Sequence, residues 1–326
     1  MSFKVRIKAT GSYTPKKILT NEEISQTVDT DPVWIYDTLG IKTRHIAAKN
    51  ECTSDLALKA CKNALKNAQM NIEAIELIIV ATATPDRSSP STAAILQGKL
   101  GNIKTPAFDI SAVCSGYIYA QTIAASLIHS GFVNNALVVG AEKFSMITDW
   151  KRRDCIFFGD GAGAAIIEKS NDESEILIQK LYADGKGWEN FTVPGGGSEN
   201  PISHEIIDQN LHTFRMNGRA VYDTGTKVLP EAIKECLDKV NLKTSDVDHV
   251  LPHQPSWGVL KKISELSGIP WSKFHTNMEH YANTAGATIP LVMDEANQKN
   301  KIKRGDIVLM IGVGSGWTWG ASILRW

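Results

Sequence analysis

The sequence predicts an α/β fold made of two halves with the same layout. Three observations lead there. First, the chain resembles itself when slid by 172 positions. ACKNALKNAQMNIEAIELIIVAT (60–82) then lies over AIKECLDKVNLKTSDVDHVLPHQ (232–254), ALVVG (136–140) over VLMIG (308–312), and Cys114 over Gly286. Second, Leu56, Ala57, Ala60, Cys61, Ala64, Leu65 and Ala68 recur at intervals of three and four, the spacing of a helix with one buried face. Third, LIIVAT and ALVVG are short unbroken apolar runs, as expected of strands covered on both sides.

Each half therefore reads as helix, strand, a second strand turning into a helix, strand, glycine-rich turn, strand. The first half spans 1–172 and the second 173–326. In the first, PAFDI (106–110) is the second strand, and SGYIYAQTIAASLIHSG is an apolar helix closed by Gly131, a C-terminal cap. The repeat loses register after ALVVG, because the first half carries an insertion around KFSMITDWKRRDC. Beyond it, FGDGAGAAIIE (158–168) resembles GSGWTWGASIL (314–324). Two such halves pack pseudo-symmetrically and bring their strand-to-helix turns toward one central cleft.

Composition bounds the function. With 326 residues, 43% hydrophobic and 21% charged, the chain is an ordinary globular protein with a large core. Lysine plus arginine and aspartate plus glutamate both total 35, so net charge gives no general attraction to nucleic acid or an anionic membrane. No run of about 18 apolar residues occurs, so no membrane span is expected. MSFKVRIKATGSYTPKK lacks the apolar block of a secretion signal. Cys52, Cys61, Cys114, Cys155 and Cys236 are an odd set without the paired spacing of disulfides or zinc sites. They point to a reducing cytoplasm and to no metal or cofactor.

Three residues carry chemistry. Cys114 follows PAFDI and opens an apolar helix, where free N–H groups and the positive end of the helix dipole favour thiolate. Small Ser115 and Gly116 leave room for an incoming thioester. The plainer reading is a buried structural cysteine. His253 ends the strand-like DHVLP between Pro252 and Pro255, which fix the backbone on both sides. Its plainer reading is a turn histidine bonded to backbone. Asn283 precedes TAG and a second helix, and its plainer reading is a helix cap. A thiol, an imidazole and a carboxamide together suit covalent capture of an acyl group and polarisation of a second carbonyl. GVGSGWTWG (312–320) is followed by a strand rather than a helix, so it is not a phosphate loop. It suits presentation of backbone N–H groups to an oxyanion.

The motifs GSYTPKKILTNEEI, WIYDTLGIKTRHIA, LIIVATATPDRSSPS, PAFDISAVCSG, ALVVGAE, FGDGAGAAI, LPHQP, NTAGAT and GVGSGWTWGASILRW span nearly the whole chain. They resemble the β-ketoacyl-acyl-carrier-protein synthase III family. The resemblance implies a thiolase-like fold, layered α-β-α-β-α, in a homodimeric acyltransferase. It implies acyl transfer from acyl-coenzyme A to Cys114, then decarboxylative Claisen condensation with malonyl-acyl carrier protein, in fatty-acid or specialised polyketide-like synthesis. His253 and Asn283 would be the partners of Cys114. The backbone N–H groups of Cys114 and Ser315 would form the oxyanion hole. Trp34 and Arg152 would hold the adenine end of coenzyme A.

The chain departs from the family's pattern at several positions. Thr38 and Gly258 stand where arginine is common, Ser256 where asparagine is, and Asp223 where lysine is. These changes bear on carrier-protein docking. Ser89 stands where a phenylalanine reaching across the dimer often closes the acyl pocket, and Val313 replaces another frequent phenylalanine beside the active site. They imply room for an acyl group longer or bulkier than acetyl. Two other readings stand beside condensation: transfer of the acyl group to an alcohol or amine without loss of CO2, and a catalytically silent partner subunit.

Overall fold

The computed structural model describes residues 4–101 and 104–326. In chain order, its main elements are β1 (Val5–Tyr13), α1 (Pro32–Leu39), α2 (Thr53–Ala68), β2 (Ile78–Ala81), α3 (Thr92–Leu100), β3 (Ala107–Ile110), α4 (Gly116–His129), β4 (Asn135–Lys143) and β5 (Asp160–Lys169). There follow β6 (Glu175–Ala183), α5 (Gly218–Lys239), β7 (His249–Pro252), α6 (Trp257–Ser267), α7 (Thr288–Gln298), β8 (Ile307–Gly314) and β9 (Thr318–Arg325).

The strands form two main sheets. The first runs β1-β5-β4-β2-β3 and the second β6-β9-β8-β7. In the first, β2 lies parallel to β3 and β4, while β5 lies antiparallel to β4 and β1. In the second, β7 lies parallel to β8, while β9 lies antiparallel to β8 and β6. The two orders match strand for strand. The counterpart of β3 is reduced to one parallel bridge between Val250 and Phe274. The chain is thus written twice in space as well as in sequence.

Period-two alternation explains the layers. Ile79 and Ala81 of β2 face inward onto Tyr117 and Ile118 of α4 and Ile289 and Val292 of α7. Leu251, Val308 and Met310 of the second sheet close that layer from the other side. Ile78 and Val80 of β2 face outward onto Leu56, Ala60 and Ala64 of α2. Val250, Leu309 and Ile311 face outward onto Leu229, Ile233 and Leu237 of α5. The result is α-β-α-β-α, with α4 and α7 between the sheets.

The 172-residue shift survives in the backbone. The turn Val113–Ser115 leads into α4, and the turn Ala285–Ala287 leads into α7. Val113 and Ala285, 172 apart, both have φ +45°. A β-branched residue at positive φ costs about 1–3 kcal/mol and persists only where its surroundings enforce it. The two strained turns meet because β4 and β8 present glycine at equivalent places. A Cβ on Gly140 would lie 2.3 Å from the Gly286 carbonyl oxygen, and one on Gly312 would lie 3.4 Å from that of Cys114.

Candidate active site

Cys114, His253 and Asn283 converge on one apolar cavity of about 370 Å³. Each is 4–5% exposed. Val313, Gly314 and Ser315 line the same cavity, as do Thr38, Ser256 and Gly258 toward its mouth. Gly314 brings the β8–β9 hairpin against the nucleophile turn: its missing Cβ would lie 2.9 Å from the Cys114 nitrogen. Ser115 Oγ ties the turn to the hairpin by donating to Thr318 Oγ1 at 2.8 Å.

The end of β7 fixes His253, whose backbone N–H donates to the Ile311 carbonyl at 2.8 Å. Its Nδ1 is 2.8 Å from Thr288 Oγ1 at the start of α7. Burial pushes the imidazole down to about 3, so it is neutral at physiological pH. Asn283 is held through its main chain, with its N–H on the Phe157 carbonyl at 2.9 Å and its carbonyl receiving the Gly159 N–H at 3.0 Å. Its Oδ1 accepts the Ala285 N–H at 2.8 Å. That bond is a capping bond and also orients the amide, leaving Nδ2 as the unused donor end.

The thiol departs from expectation. Burial pushes Cys114 up, and the charge of Glu142 adds to the effect, against a smaller backbone hydrogen bond. The favourable helix terminus is outweighed because the sulfur is buried beside a carboxylate. Glu142 itself is fully buried and is pushed up to about 7 by desolvation. It accepts from Thr84 Oγ1 at 2.6 Å, Ala83 N at 3.1 Å and, across the two halves, Gly286 N at 3.3 Å. Sequence reasoning missed Glu142. A carboxylate closing the apolar run ALVVG was its signal, because buried carboxylates are rare without a purpose. Thr288 left no comparable mark.

The remaining expected residues divide. Trp34 is 40% exposed on α1. The guanidinium 4.6 Å over its ring belongs to Arg153. Arg152 instead donates to the Phe214 carbonyl at 2.8 Å and pairs with Asp154, because the turn after Trp150 points consecutive side chains in different directions. Ser89 lies exposed on the loop before α3 and does not line this chain's cavity. Asp223 pairs with Arg219 on α5 at 2.8 Å, also outside the cavity lining. Cys61, Cys155 and Cys236 are buried in the hydrophobic cores and Cys52 is exposed, so Cys114 is the cysteine that faces the cavity.

A doubled α/β core with a cysteine elbow, a histidine and an asparagine around a cavity defines a thiolase-like condensing enzyme. Residues 108–185 match 3-oxoacyl-[acyl-carrier-protein] synthase III, and residues 237–326 match its C-terminal region. The β-ketoacyl-[acyl-carrier-protein] synthase III of Caldanaerobacter subterraneus is 43% identical over 98% of this chain and 97% of its own. That of Clostridioides difficile is 42% identical over 100% and 99%. Among solved structures, the synthase III of Aquifex aeolicus superposes with a TM-score of 0.92 at 40% identity, covering 99% and 100% of the two chains. The priming β-ketosynthase of the R1128 polyketide pathway gives 0.90 at 26%, covering 99% and 96%. The chain belongs to the β-ketoacyl-acyl-carrier-protein synthase III family and is an acyltransferase of the condensing type.

Proposed function

We propose that Cys114 takes an acyl group from acyl-coenzyme A and that His253 and Asn283 serve condensation with malonyl-acyl carrier protein. The observation that carries this reading is the meeting of all three side chains on one cavity from opposite halves. In the first step the Cys114 sulfur attacks the thioester carbonyl. The new C–S bond forms, the coenzyme A C–S bond breaks, and the thiol's proton ends on the coenzyme A sulfur. The N–H groups of Cys114 and Ser315 stabilise the oxyanion. Trp34 stacks on adenine, and the 152–153 turn supplies the arginine; Arg153 is better placed than Arg152 to do so.

In the second step the malonyl carboxylate leaves as CO2. The thioester carbonyl oxygen takes up the negative charge, facing the donor ends of His253 and Asn283. The enolate carbon then attacks the acyl group, the bond to Cys114 breaks, and the sulfur takes a proton from water. For neutral His253 to donate from Nε2, Nδ1 must accept. The Thr288 hydroxyl supplies that hydrogen by turning from the Ala285 carbonyl, also 2.8 Å away. Thr288 is thus a positioning residue for the imidazole.

The halves 1–172 and 173–326 each bring one side of the site, and the chain works as a cytoplasmic homodimer. Its free cysteines fit a reducing compartment. Among the described residues β3 is the edge strand of its sheet, a place where a second copy could add its own strand. Release of labelled CO2 from malonyl-acyl carrier protein, dependent on acyl-coenzyme A and on Cys114, tests the function. Acyl transfer without CO2 would mark a simple acyltransferase.

A further inference from the structure

One buried carboxylate has no part in the two steps above. Glu142 is next to the last residue of β4, among apolar neighbours, and is fully buried. A charge in such a place is costly unless donors meet its oxygens. The end of β2 supplies most of them. The Ala83 N–H reaches both oxygens at 3.1 Å, and the hydroxyls of Thr84 and Thr82 donate to Oε2 at 2.6 and 3.3 Å. These donors belong to the same half as Glu142. A further bond crosses to the other half, where the Gly286 N–H donates to Oε1 at 3.3 Å.

That N–H belongs to the peptide joining Ala285 to Gly286. The carbonyl of the same peptide accepts the Thr288 hydroxyl at 2.8 Å, and this hydroxyl is also 2.8 Å from His253 Nδ1. One residue earlier along the backbone, the Ala285 N–H holds Asn283 Oδ1 at 2.8 Å. A trans peptide is planar, with its N–H and C=O pointing in opposite directions. A grip on the Gly286 N–H therefore fixes where the Ala285 carbonyl points. When the Thr288 hydroxyl turns to His253, that carbonyl keeps the Thr288 N–H, which caps the turn. Ala285 has φ +45°, a conformation that a non-glycine residue keeps only where its surroundings enforce it. Glu142 supplies part of that constraint from the opposite half.

The same carboxylate works against the nucleophile, because its charge adds to the burial that raises the Cys114 thiol. A group that hinders acylation while it braces the second turn acts on the two half-reactions with opposite sign. We propose that Glu142 is a positioning residue for condensation, holding the Ala285–Gly286 peptide so that His253 and Asn283 aim their donors at one carbonyl oxygen. This rests on the condensation proposed above. The reach of Glu142 matters here rather than its charge, because an amide oxygen at the same place also accepts the Gly286 N–H.

The test compares loading of Cys114, read by intact mass, with release of labelled CO2 from malonyl-acyl carrier protein. Acetyl-, butyryl- and hexanoyl-coenzyme A serve as donors. Glu142→Leu removes the acceptor and keeps most of the bulk. Its CO2 release per loaded cysteine should fall about 10- to 100-fold, less than the usual loss for an oxyanion donor itself. Its loading should be as fast as in the unmodified protein or faster. Glu142→Gln keeps an oxygen for the Gly286 N–H, so its CO2 release should stay within about threefold of the unmodified protein. Thr84→Val removes the 2.6 Å bond that steers the carboxylate and should show a smaller loss in the same direction. It also reads the effect if the leucine variant does not fold. Equal losses of loading and CO2 release in Glu142→Leu overturn the inference, as does a loss in Glu142→Gln as large as in Glu142→Leu. With the leucine variant unfolded, unchanged CO2 release per loaded cysteine in Thr84→Val overturns it. No loading by any donor, or loading without CO2 release, in the unmodified protein overturns the proposed function itself, and the inference falls with it.

Discussion

The turn at Val113–Ser115 and the turn at Ala285–Ala287 have the same backbone and opposite equipment. Both enter a central helix, and both hold a non-glycine residue at φ +45°. The first carries Cys114 at its middle; the second carries Gly286, whose N–H is held by Glu142. Duplication therefore supplied the geometry twice, and the chemistry of each copy depends on one side chain. The second copy is specialised instead as a support: Asn283 leads into it and Thr288 leads out of it toward His253.

The comparison is broken most directly by making the first turn like the second. Cys114→Gly should reduce acyl loading to background by intact mass, while the fold, read by circular dichroism, persists. Loading that remains would place the nucleophile elsewhere. The next effect lies in the support role. Asn283→Ala should leave acyl loading measurable while CO2 release falls about 100- to 1,000-fold, the usual loss for one oxyanion donor. Near-normal CO2 release would reduce Asn283 to a cap.

The spacing between the turns can be probed by adding one carbon. A Cβ on Gly286 would lie 2.9 Å from Glu142 Oε1 and 3.0 Å from the Val113 carbonyl. Gly286→Ala should therefore cost about 1–3 kcal/mol in denaturant unfolding, the range for overpacked interiors. Unchanged stability would mean that the turns are not in fixed contact.

The smallest effect is electrostatic. Glu142→Gln removes the charge that, after burial, raises the Cys114 thiol, so alkylation of Cys114 should begin at lower pH. It also bears on stability. Glu142 titrates near 7 when folded against 4.5 as its ordinary value, so between these the unfolded chain releases its proton first. Stability should fall as pH rises from about 4.5 to 7 and level off above, and Gln should remove that slope. A slope kept in the variant would assign it to another group.

Much of this was legible in the sequence because two of the three catalytic candidates sit where a strand must turn. Cys114 and His253 stand at such ends, whereas Asn283, expected at one too, follows the short helix Met278–Tyr281 and meets a strand-like segment only through its bridge to Phe158; the 172-residue shift placed two of the turns opposite each other. The helix expected to close at Gly131 ends at His129, with Gly131 at φ +81° just beyond. The second half's counterpart of β3 shrank to a bridge at Phe274, which an apolar pattern does not reveal. The aromatic cluster around Cys114 was illegible for a different reason. Phe144, Phe158, Phe191 and Phe214 come from four separate segments, and only packing joins them. That Arg153 rather than Arg152 lies over the Trp34 ring depends on side-chain direction within one turn, which composition cannot give.

The glycine contacts between the halves carry a thermodynamic consequence. Gly140 packs so close to the Gly286 carbonyl that a Cβ would lie 2.3 Å from it, and Gly312 lies next to the Cys114 carbonyl, so each sheet meets the other half's turn. Neither half can loosen without removing what enforces the strained φ of the other. The hydrogen-bonded amides of these turns, such as that of Ser115, should then exchange with solvent mainly through large-scale opening rather than local fraying. The site's assembly should then follow the folding of both halves together, so its activity should fall in step with global unfolding.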